Sequence, residues 1–447
     1  MIFIGIIMSD VMTLNKGQEE AAKGFFKFLM EKDKNELVIS GAGGTGKTYL
    51  MGYLIDKIIP RYLDTCKLLG IQPKYYNVYM TATTNKAAEV LGTNTKRETS
   101  TIHSLLGVNV IDDYESGKTK LKKGKKWNVI HDSIIFIDEC SMIDSELFKF
   151  IHEGTHNCKI VYVGDHCQLA PVAEPLSPVF KKDFPFFELT EPMRNNKQQA
   201  LMDICTQLRK TVETGVFKPI SLVPGVIDLL NDEEMEKEIS KEFKDPTLDK
   251  KILCYRNSKV IDYNGYIQED LRNNRIYEIN EYYVNNNAVK ISDIQCKQII
   301  LPVEDEIKIL NIADNYKITS VFIAKDINLP CYAAKILSLS TGHIFNVWLP
   351  VNIQEIYSLM KYFAKQKDWV HYFYVKDTFL DLRPKDASTV HKAQGSTYET
   401  VYIDLSDLST CRIPDMAARL LYVAFTRASN RIVLYGKLKE KFGGINA

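Results

Sequence analysis

The sequence lacks most of what would make it a fibre, a secreted scaffold or a membrane protein. Its nine cysteines are scattered without a CxxC pair, and an odd, frameless set suits a reducing compartment. No stretch approaches the roughly 20 apolar residues that a membrane helix needs. The opening run Met1 to Ile7 is apolar but short, with neither a basic leader region nor a small-residue cleavage site, which argues against a secretory signal. Met8 and Met12 are alternative starts, and the residues before Met12 read as a dispensable tail. Internal repeats and low-complexity tracts are absent. Net charge is missing too: 57 Lys+Arg against 56 Asp+Glu leave +1. The chain is therefore not a bulk nucleic-acid coat, and any polyanion site must be a local patch.

What is present is ordinary globular chemistry. The 447 residues are 45% hydrophobic and 25% charged. That is enough for about three domains of ~150 residues and for more than one buried core. Apolar β-rich runs at Leu37–Ser40, Asn77–Ala82, Ser133–Asp138 and Lys159–Gly164 are each followed by a turn and a longer amphipathic stretch. Strands alternating with helices predict an α/β fold with a parallel sheet. A second set, Lys251–Tyr255, Thr400–Leu405 and Arg431–Tyr435, predicts a second α/β unit. Between them, residues 228–251 carry dense mixed charge and read as a solvated helix face. Residues from about 291 to 350 alternate in short runs such as Val321–Ala324 and Ile344–Leu349, which predicts an inserted antiparallel β module. Ile353–Lys367 then has helical spacing.

The chemistry concentrates at Gly41-Ala42-Gly43-Gly44-Thr45-Gly46-Lys47-Thr48, which fits G-x-x-x-x-G-K-[ST] between a strand and a helix. The glycines let backbone N–H groups converge on phosphate oxygens, and the helix N-terminus adds its positive dipole end. Lys47 would reach the β/γ-phosphates, and Thr48 would offer a hydroxyl to Mg²⁺. Downstream, the apolar strand Ser133–Asp138 ends in Asp138-Glu139. Asp138 would hold Mg²⁺ through water, and Glu139 would orient and deprotonate the attacking water. A solvated strand end is the plain alternative for one acid, less so for two after a P-loop. His152-Glu153-Gly154-Thr155-His156 formally fits the zinc-protease pattern H-E-x-x-H. Gly154 falls inside it, however, and predicts that the helix stops there, which would part the two histidines.

The order of motifs is more specific. Asp138-Glu139-Cys140-Ser141-Met142 is followed by Gly164-Asp165-His166-Cys167-Gln168-Leu169-Ala170-Pro171, then Leu189-Thr190-Glu191-Pro192-Met193-Arg194, Ser388-Thr389-Val390-His391-Lys392-Ala393-Gln394-Gly395 and Leu421-Tyr422-Val423-Ala424-Phe425-Thr426-Arg427. This series resembles the superfamily 1 helicases, and Ser100-Thr101-Ile102-His103 with the His391–Gly395 run narrows it to the RecD-like 1B branch. The resemblance runs from about Thr13 to Tyr435. It implies two RecA-like parallel-sheet domains, an inserted β-hairpin pin (1B) and an inserted SH3-like β module (2B). The expected boundaries are 12–106 and 130–193 for domain 1A, 107–129 for the pin, 194–290 and 375–447 for domain 2A, and 291–374 for the SH3-like domain with a helical arm carrying Trp369, Tyr372 and Phe373. A plain core role for those three aromatics is an equal alternative.

Roles carry over residue by residue. ATP and Mg²⁺ are the implied substrate and cofactor, held by Gly41, Gly43, Gly44, Thr45, Gly46, Lys47, Thr48, Asp138 and Gly395. Gln18 matches the adenine-reading glutamine, and Gln168 matches the γ-phosphate sensor. Arg194 and Arg427 match arginines that approach the γ-phosphate, where such a group is worth ~10³–10⁵ in rate. Thr83, Asn85 and Lys86, Thr101 with His103, and Thr389 with His391 match DNA-contacting positions. Phosphate contacts carry no sequence information, and they do not by themselves separate DNA from RNA. For each histidine a structural role is the competing reading. The insertion after Leu106 holds Lys118, Lys120, Lys122, Lys123, Lys125 and Lys126, the densest basic run in the chain. As a pin it would touch DNA, with Tyr114 or Leu121 as the wedge.

The leading expectation is thus an ATP-dependent 5′→3′ DNA helicase acting on single strands and forked duplex, in phage replication or recombination. Monomeric function in the host cytoplasm is expected, off the membrane, with a single-strand-binding protein or replisome component as partner. The alternatives are a single-strand-stimulated ATPase that remodels nucleoprotein without processive unwinding, and a generic P-loop kinase or NTPase, which has no need for Gln394, Gly395 and Arg427. No carboxylate-rich nuclease block is visible.

Overall fold

A computed structural model describes residues 14–113, 118–171, 174–191, 199–245, 249–295 and 298–446. The chain divides into two units. The first takes Met1–Val108, Gly124–His166 and Ala170–Asn195; the second takes Asn109–Lys123, Cys167–Leu169 and Asn196–Ala447.

The first unit is built on a six-stranded sheet in the order Phe186–Leu189, Glu36–Gly41, Lys159–Gly164, Ser133–Asp138, Asn77–Ala82, Ser100–Thr101. Every neighbouring pair is parallel. The inner strands are buried along most of their length, as expected where helices cover both faces. Helix Lys16–Met30 starts with a capping box, Asn15 and Gln18 satisfying each other's backbone N–H. It presents Ala21, Phe25 and Phe28 to the sheet core. Helix Lys47–Tyr53 runs through a π-turn at Leu54–Ile58 into helix Ile59–Leu68. Pro60 explains the irregularity, since its missing N–H cannot continue the α-helical ladder. Lys159 is fully buried, and its ammonium caps the end of the first helix on the Glu31 carbonyl at 2.7 Å. Burial lowers it to about 8.

The second unit holds a five-stranded parallel sheet in the order Ile227–Leu230, Ala428–Tyr435, Tyr398–Asp404, Lys250–Cys254, Ala387–Thr389. Helices Gln199–Thr214 and Pro414–Phe425 supply much of one core, including Leu201, Leu208, Leu421 and Phe425. A separate six-stranded antiparallel sheet is formed by Tyr282–Asn285, Glu306–Ile312, Ile318–Ala324, Ile327–Ser338, Ile344–Pro350 and Leu382–Arg383. Helices Ile353–Lys365 and Trp369–Thr378 pack on it through Ile356, Phe363 and Val375. Phe373 is fully buried and Trp369 meets Tyr372 edge-on at 5.6 Å. Strands Val108–Asp113 and Lys118–Lys123 pair with each other.

One expectation needs correcting. Residues 228–251 are not simply a solvated helix face. Their start is the edge strand Ile227–Leu230, and Asp228 and Glu238 together hold Arg431 at 2.8 and 2.6 Å. Helix Asp232–Glu242 does expose most of its charged residues.

Candidate functional site

The phosphate loop leaves the sheet at Gly41. A side chain there would meet the Thr45 hydroxyl at 2.6 Å and the Leu189 carbonyl at 2.9 Å, so only glycine fits. Gly44 and Gly46 have φ of 84° and 78°, a region open to glycine without steric cost. Thr45 Oγ1 donates to the Ala42 carbonyl at 2.9 Å. The Lys47 ammonium donates to the carbonyls of Gly41 and Ala42 at 2.8 and 3.1 Å. The loop is thereby drawn into a ring closed by its own lysine. Gly43 has open space beside it, and Thr48 lies half-buried on the first helical turn. Gln18 is fully buried and donates from Nε2 to the Thr45 carbonyl at 3.2 Å. Its other end accepts from the Asn15 N–H at 3.2 Å. This glutamine therefore braces the loop from behind.

Asp138 ends the strand paired with Asn77–Ala82, directly opposite Ala82. Its Oδ1 accepts from the Glu139 N–H at 2.9 Å. Burial and the neighbouring Glu139 push Asp138 up to about 7, against the pull of Lys47. A desolvated carboxylate with a second acid beside it is a site whose charge a divalent cation would balance. Glu139 itself sits at φ 53°, an unusual conformation for a residue with a side chain. Its carbonyl accepts from Thr83 Oγ1 at 3.2 Å, which ties the acidic strand end to the next strand end.

Beyond Thr83, the Thr84 side chain caps helix Asn85–Thr95 by accepting from the Ala87 N–H. Asn85 is exposed on its first turn, and Lys86 pairs with Glu89 at 3.1 Å. Thr101 follows Ala82 in strand register and caps helix Ile102–Leu106. His103 lies on that helix, and its pKa is lowered by burial, with Asp144 opposing. The first unit thus gathers Gln18, the loop, Lys47 and Asp138–Glu139 at the carboxyl ends of its strands, with Thr83, Asn85, Lys86, Thr101 and His103 on the adjoining strand ends.

The second unit holds the remaining set. Thr389 ends the strand Ala387–Thr389 and pairs with Cys254. His391 lies 6.4 Å from the Tyr255 ring, and burial lowers its pKa. Gly395 has φ of 83°. Arg427 is buried, with Nε on the Val423 carbonyl at 3.2 Å and Nη1 on the Ser396 carbonyl at 2.8 Å, so the structure brings it beside Gly395. Gln168 is buried and its Oε1 has no hydrogen-bond partner among the described residues. Leaving such a group unpaired costs about 1–3 kcal/mol. Arg194, Tyr114 and the apolar start through Met12 lie outside the described residues, as does the side chain of Lys118. The two histidines of the zinc-like pattern fall on different elements: His152 on helix Ser145–Glu153, bonded to Glu36 at 2.9 Å, and His156 on strand Thr155–His156.

Two groups escaped the sequence reading. Lys392 donates to the Asn286 carbonyl at 2.8 Å and pairs with Glu304 at 3.0 Å, fastening the Thr389–His391 loop to the antiparallel module. Arg419 donates to the Gln168 carbonyl at 2.8 Å. The available signal for Arg419 was its isolation, as the one cation in the apolar run Ala417–Phe425, four residues after Asp415.

Comparison with known proteins shows what the chain is similar to. Residues 28–174 match the AAA domain family, and residues 386–435 match the UvrD-like helicase C-terminal domain. The chain is 25% identical to the ATP-dependent DNA helicase dda of Enterobacteria phage T4, over 93% of this chain and 97% of that one. Along most of its length the chain is similar to helicases of the Pif1/RecD/Dda-like superfamily 1B. A second relative in this family is the RecBCD enzyme subunit RecD of Buchnera aphidicola subsp. Schizaphis graminum, 25% identical over 91% of this chain and 71% of that one. Among solved structures, the Pif1 helicase from Candida albicans aligns with a TM-score of 0.48 and 18% identity, covering 97% of this chain and 96% of that one. Among the described residues no helix is long and apolar enough to cross a membrane.

Proposed function

We propose that the protein is an ATP-dependent DNA helicase that translocates 5′→3′ on single-stranded DNA and opens forked duplex. The observation that carries this reading is the pairing of a complete phosphate loop and acidic strand end in one unit with a second Ser-Thr-x-His strand end, in a unit that also holds Arg427 and Gln168. A kinase or simple NTPase has no use for the second set.

Each group has a role that follows from its chemistry. The loop N–H groups and Lys47 bind the phosphates, with Lys47 exchanging its loop carbonyls for phosphate oxygens. Thr48 and Asp138 would hold Mg²⁺, which would neutralise charge on the β and γ oxygens. Glu139 accepts the proton of the attacking water. The orphaned Oε1 of Gln168 is an acceptor for that water's other O–H, and its amide donates to the γ-phosphate. Arg427 offsets the charge that spreads over the γ-phosphoryl group. Gln18 reads the adenine edge. Its hold on Thr45 makes that reading mechanically continuous with the loop.

Thr83, Asn85, Lys86, Thr101 and His103, with Thr389 and His391, grip the DNA backbone and stack on bases. The strands Val108–Asp113 and Lys118–Lys123 belong to the pin, with Tyr114 or Leu121 as wedge and Lys118 as a DNA contact. The antiparallel sheet is the 2B module of the family. Displacement of bound proteins, action as a monomer alongside a single-strand-binding or replisome protein, and a role in phage DNA replication or recombination complete the reading. The deciding experiment is unwinding of 5′-tailed against 3′-tailed forks, with Lys47→Ala as the inactive control. Opening of the 5′-tailed fork alone is expected; opening of only the 3′-tailed fork overturns the polarity. Streptavidin displacement without fork opening would favour the remodelling ATPase.

A further inference from the structure

The segment that carries Gln168 is divided in an informative way. Asp165 and His166 belong to the first unit and Ala170 rejoins it, whereas Cys167, Gln168 and Leu169 belong to the second. Cys167 and Leu169 are fully buried in the second unit's core, beside Leu420, Leu421 and Ala424 of helix Pro414–Phe425. Between them, the Gln168 carbonyl accepts from Arg419 Nη1 at 2.8 Å. Arg419 is held in turn by Asp415, Nε to Oδ2 at 3.0 Å, one helical turn back. A second brace surrounds the tripeptide. The Cys167 thiol lies 3.7 Å from Glu213, Glu213 pairs with Arg209 at 3.3 Å, and Arg209 donates to the Tyr422 hydroxyl at 3.3 Å. The helix that grips Gln168 also positions Arg427, whose Nε sits on the Val423 carbonyl at its far end.

We propose that Arg419 is a positioning residue that locks the backbone of Gln168 to helix Pro414–Phe425, so that the water-orienting glutamine and the Arg427 guanidinium move as one rigid body. The inference rests on the helicase reading of Gln168 and Arg427. In this role Arg419 acts through the Gln168 backbone carbonyl. Its planar guanidinium satisfies two requirements at once: a charge-assisted bond to Asp415 and a directed N–H to a carbonyl. The bond goes to the backbone and leaves the Gln168 side chain free, so Oε1 stays available for a donor. Two groups that must reach the γ-phosphate together are then set by one helix rather than by two flexible loops.

The test is a double-mutant cycle on single-strand-stimulated ATP hydrolysis by the full chain, using oligo(dT). Arg419→Gln is expected to lower kcat roughly 10–100-fold, the loss of one charge-assisted hydrogen bond. KM for ATP and the affinity for a fluorescent ATP analogue should stay within about twofold, because the phosphate loop is untouched. Gln168→Ala with Arg419→Gln together should be no slower than Gln168→Ala alone, since both remove the same positioned group. Arg419→Lys, which keeps charge but loses the fork, should recover part of kcat. If Arg419→Gln proves unstable by thermal melting, Asp415→Asn replaces it. That change weakens the Asp415 brace on the guanidinium while leaving Arg419 and Gln168 in place, and a smaller kcat loss at constant KM is expected. Multiplicative losses in the double variant, or a lowered melting temperature with kcat per folded molecule intact, would overturn the proposal. Lys47→Ala separates the two levels: if it keeps hydrolysing ATP, the underlying site reading fails, whatever Arg419 does.

Discussion

Thr101 and Thr389 close the same kind of turn, one in each unit. Thr101 Oγ1 accepts from the Ser104 N–H at 3.1 Å, and Thr389 Oγ1 accepts from the Lys392 N–H at 3.4 Å. Each threonine ends a parallel strand, and each is followed two residues later by a partly buried histidine whose pKa is lowered. The repeated Ser-Thr-x-His run is thus a repeated local structure, with the hydroxyl oxygen accepting a cap bond, its O–H left as a donor, and the imidazole set beside it. His103→Ala and His391→Ala are each expected to weaken oligo(dT) binding by the ~1–3 kcal/mol of one lost stacking contact. Fluorescence anisotropy at fixed salt measures this, and unchanged affinity in both variants would return the histidines to a purely structural role.

The same two imidazoles set a pH dependence. Burial holds both below their ordinary value of 6.5. Between the folded value and 6.5 the unfolded chain carries the extra protons, so stability rises with pH across that window and falls as pH drops below about 6.5. Melting temperatures across this range should show the decline, and His103→Gln with His391→Gln should flatten it. A decline of equal slope in the double variant assigns it to other groups.

Gly41→Ala tests the loop geometry. The added methyl would sit 2.6 Å from Thr45 Oγ1 and 2.9 Å from the Leu189 carbonyl. Overpacking of this kind costs about 1–3 kcal/mol. Here it should also raise KM for ATP, because Thr45 is the residue that Gln18 braces. Wild-type KM would mean that the loop relaxes freely.

Replacing residues 109–123 by a short turn should spare single-strand-stimulated hydrolysis and abolish fork opening. Gel-resolved unwinding beside an ATPase assay separates the two activities. Survival of both removes the pin from the mechanism.

Asp381 and Arg383 form a pair with almost no solvent exposure, bonded through Nε at 3.0 Å and Nη2 at 2.8 Å, and Arg383 also meets the Tyr357 hydroxyl at 2.7 Å. Asp381→Ala leaves the guanidinium buried without its counter-ion. A loss of about 3–5 kcal/mol is expected, read as a shift in the denaturation midpoint. A shift below ~1 kcal/mol, the range of exposed pairs, would show that water reaches the site.

Strands buried on both faces were the most legible part of the fold. Ser133–Asp138 and Lys159–Gly164 are mostly apolar runs and are strands with those ends, buried along nearly all their length. The phosphate loop was legible because its spacing is a backbone requirement rather than a packing outcome. Ile227–Leu230 was hidden because an edge strand needs little apolar content, and its partner strand lies some 200 residues later at Ala428–Tyr435. Tyr282–Asn285 was hidden likewise, pairing on one side with Leu382–Arg383. Arg419 was invisible for a different reason. Its partner is a main-chain carbonyl 251 positions away, and no residue type at Gln168 announces a carbonyl bond.

The interleaving of the chain also has a temporal side. Cys167 and Leu169 leave the ribosome about 250 residues ahead of the helix Pro414–Phe425 that covers them. At ~5–20 residues per second that is a delay of roughly 12–50 s. Through that interval the first unit can assemble its sheet while a buried-to-be tripeptide stays bare. Synthesis speed through the C-terminal half should therefore affect the yield of folded protein.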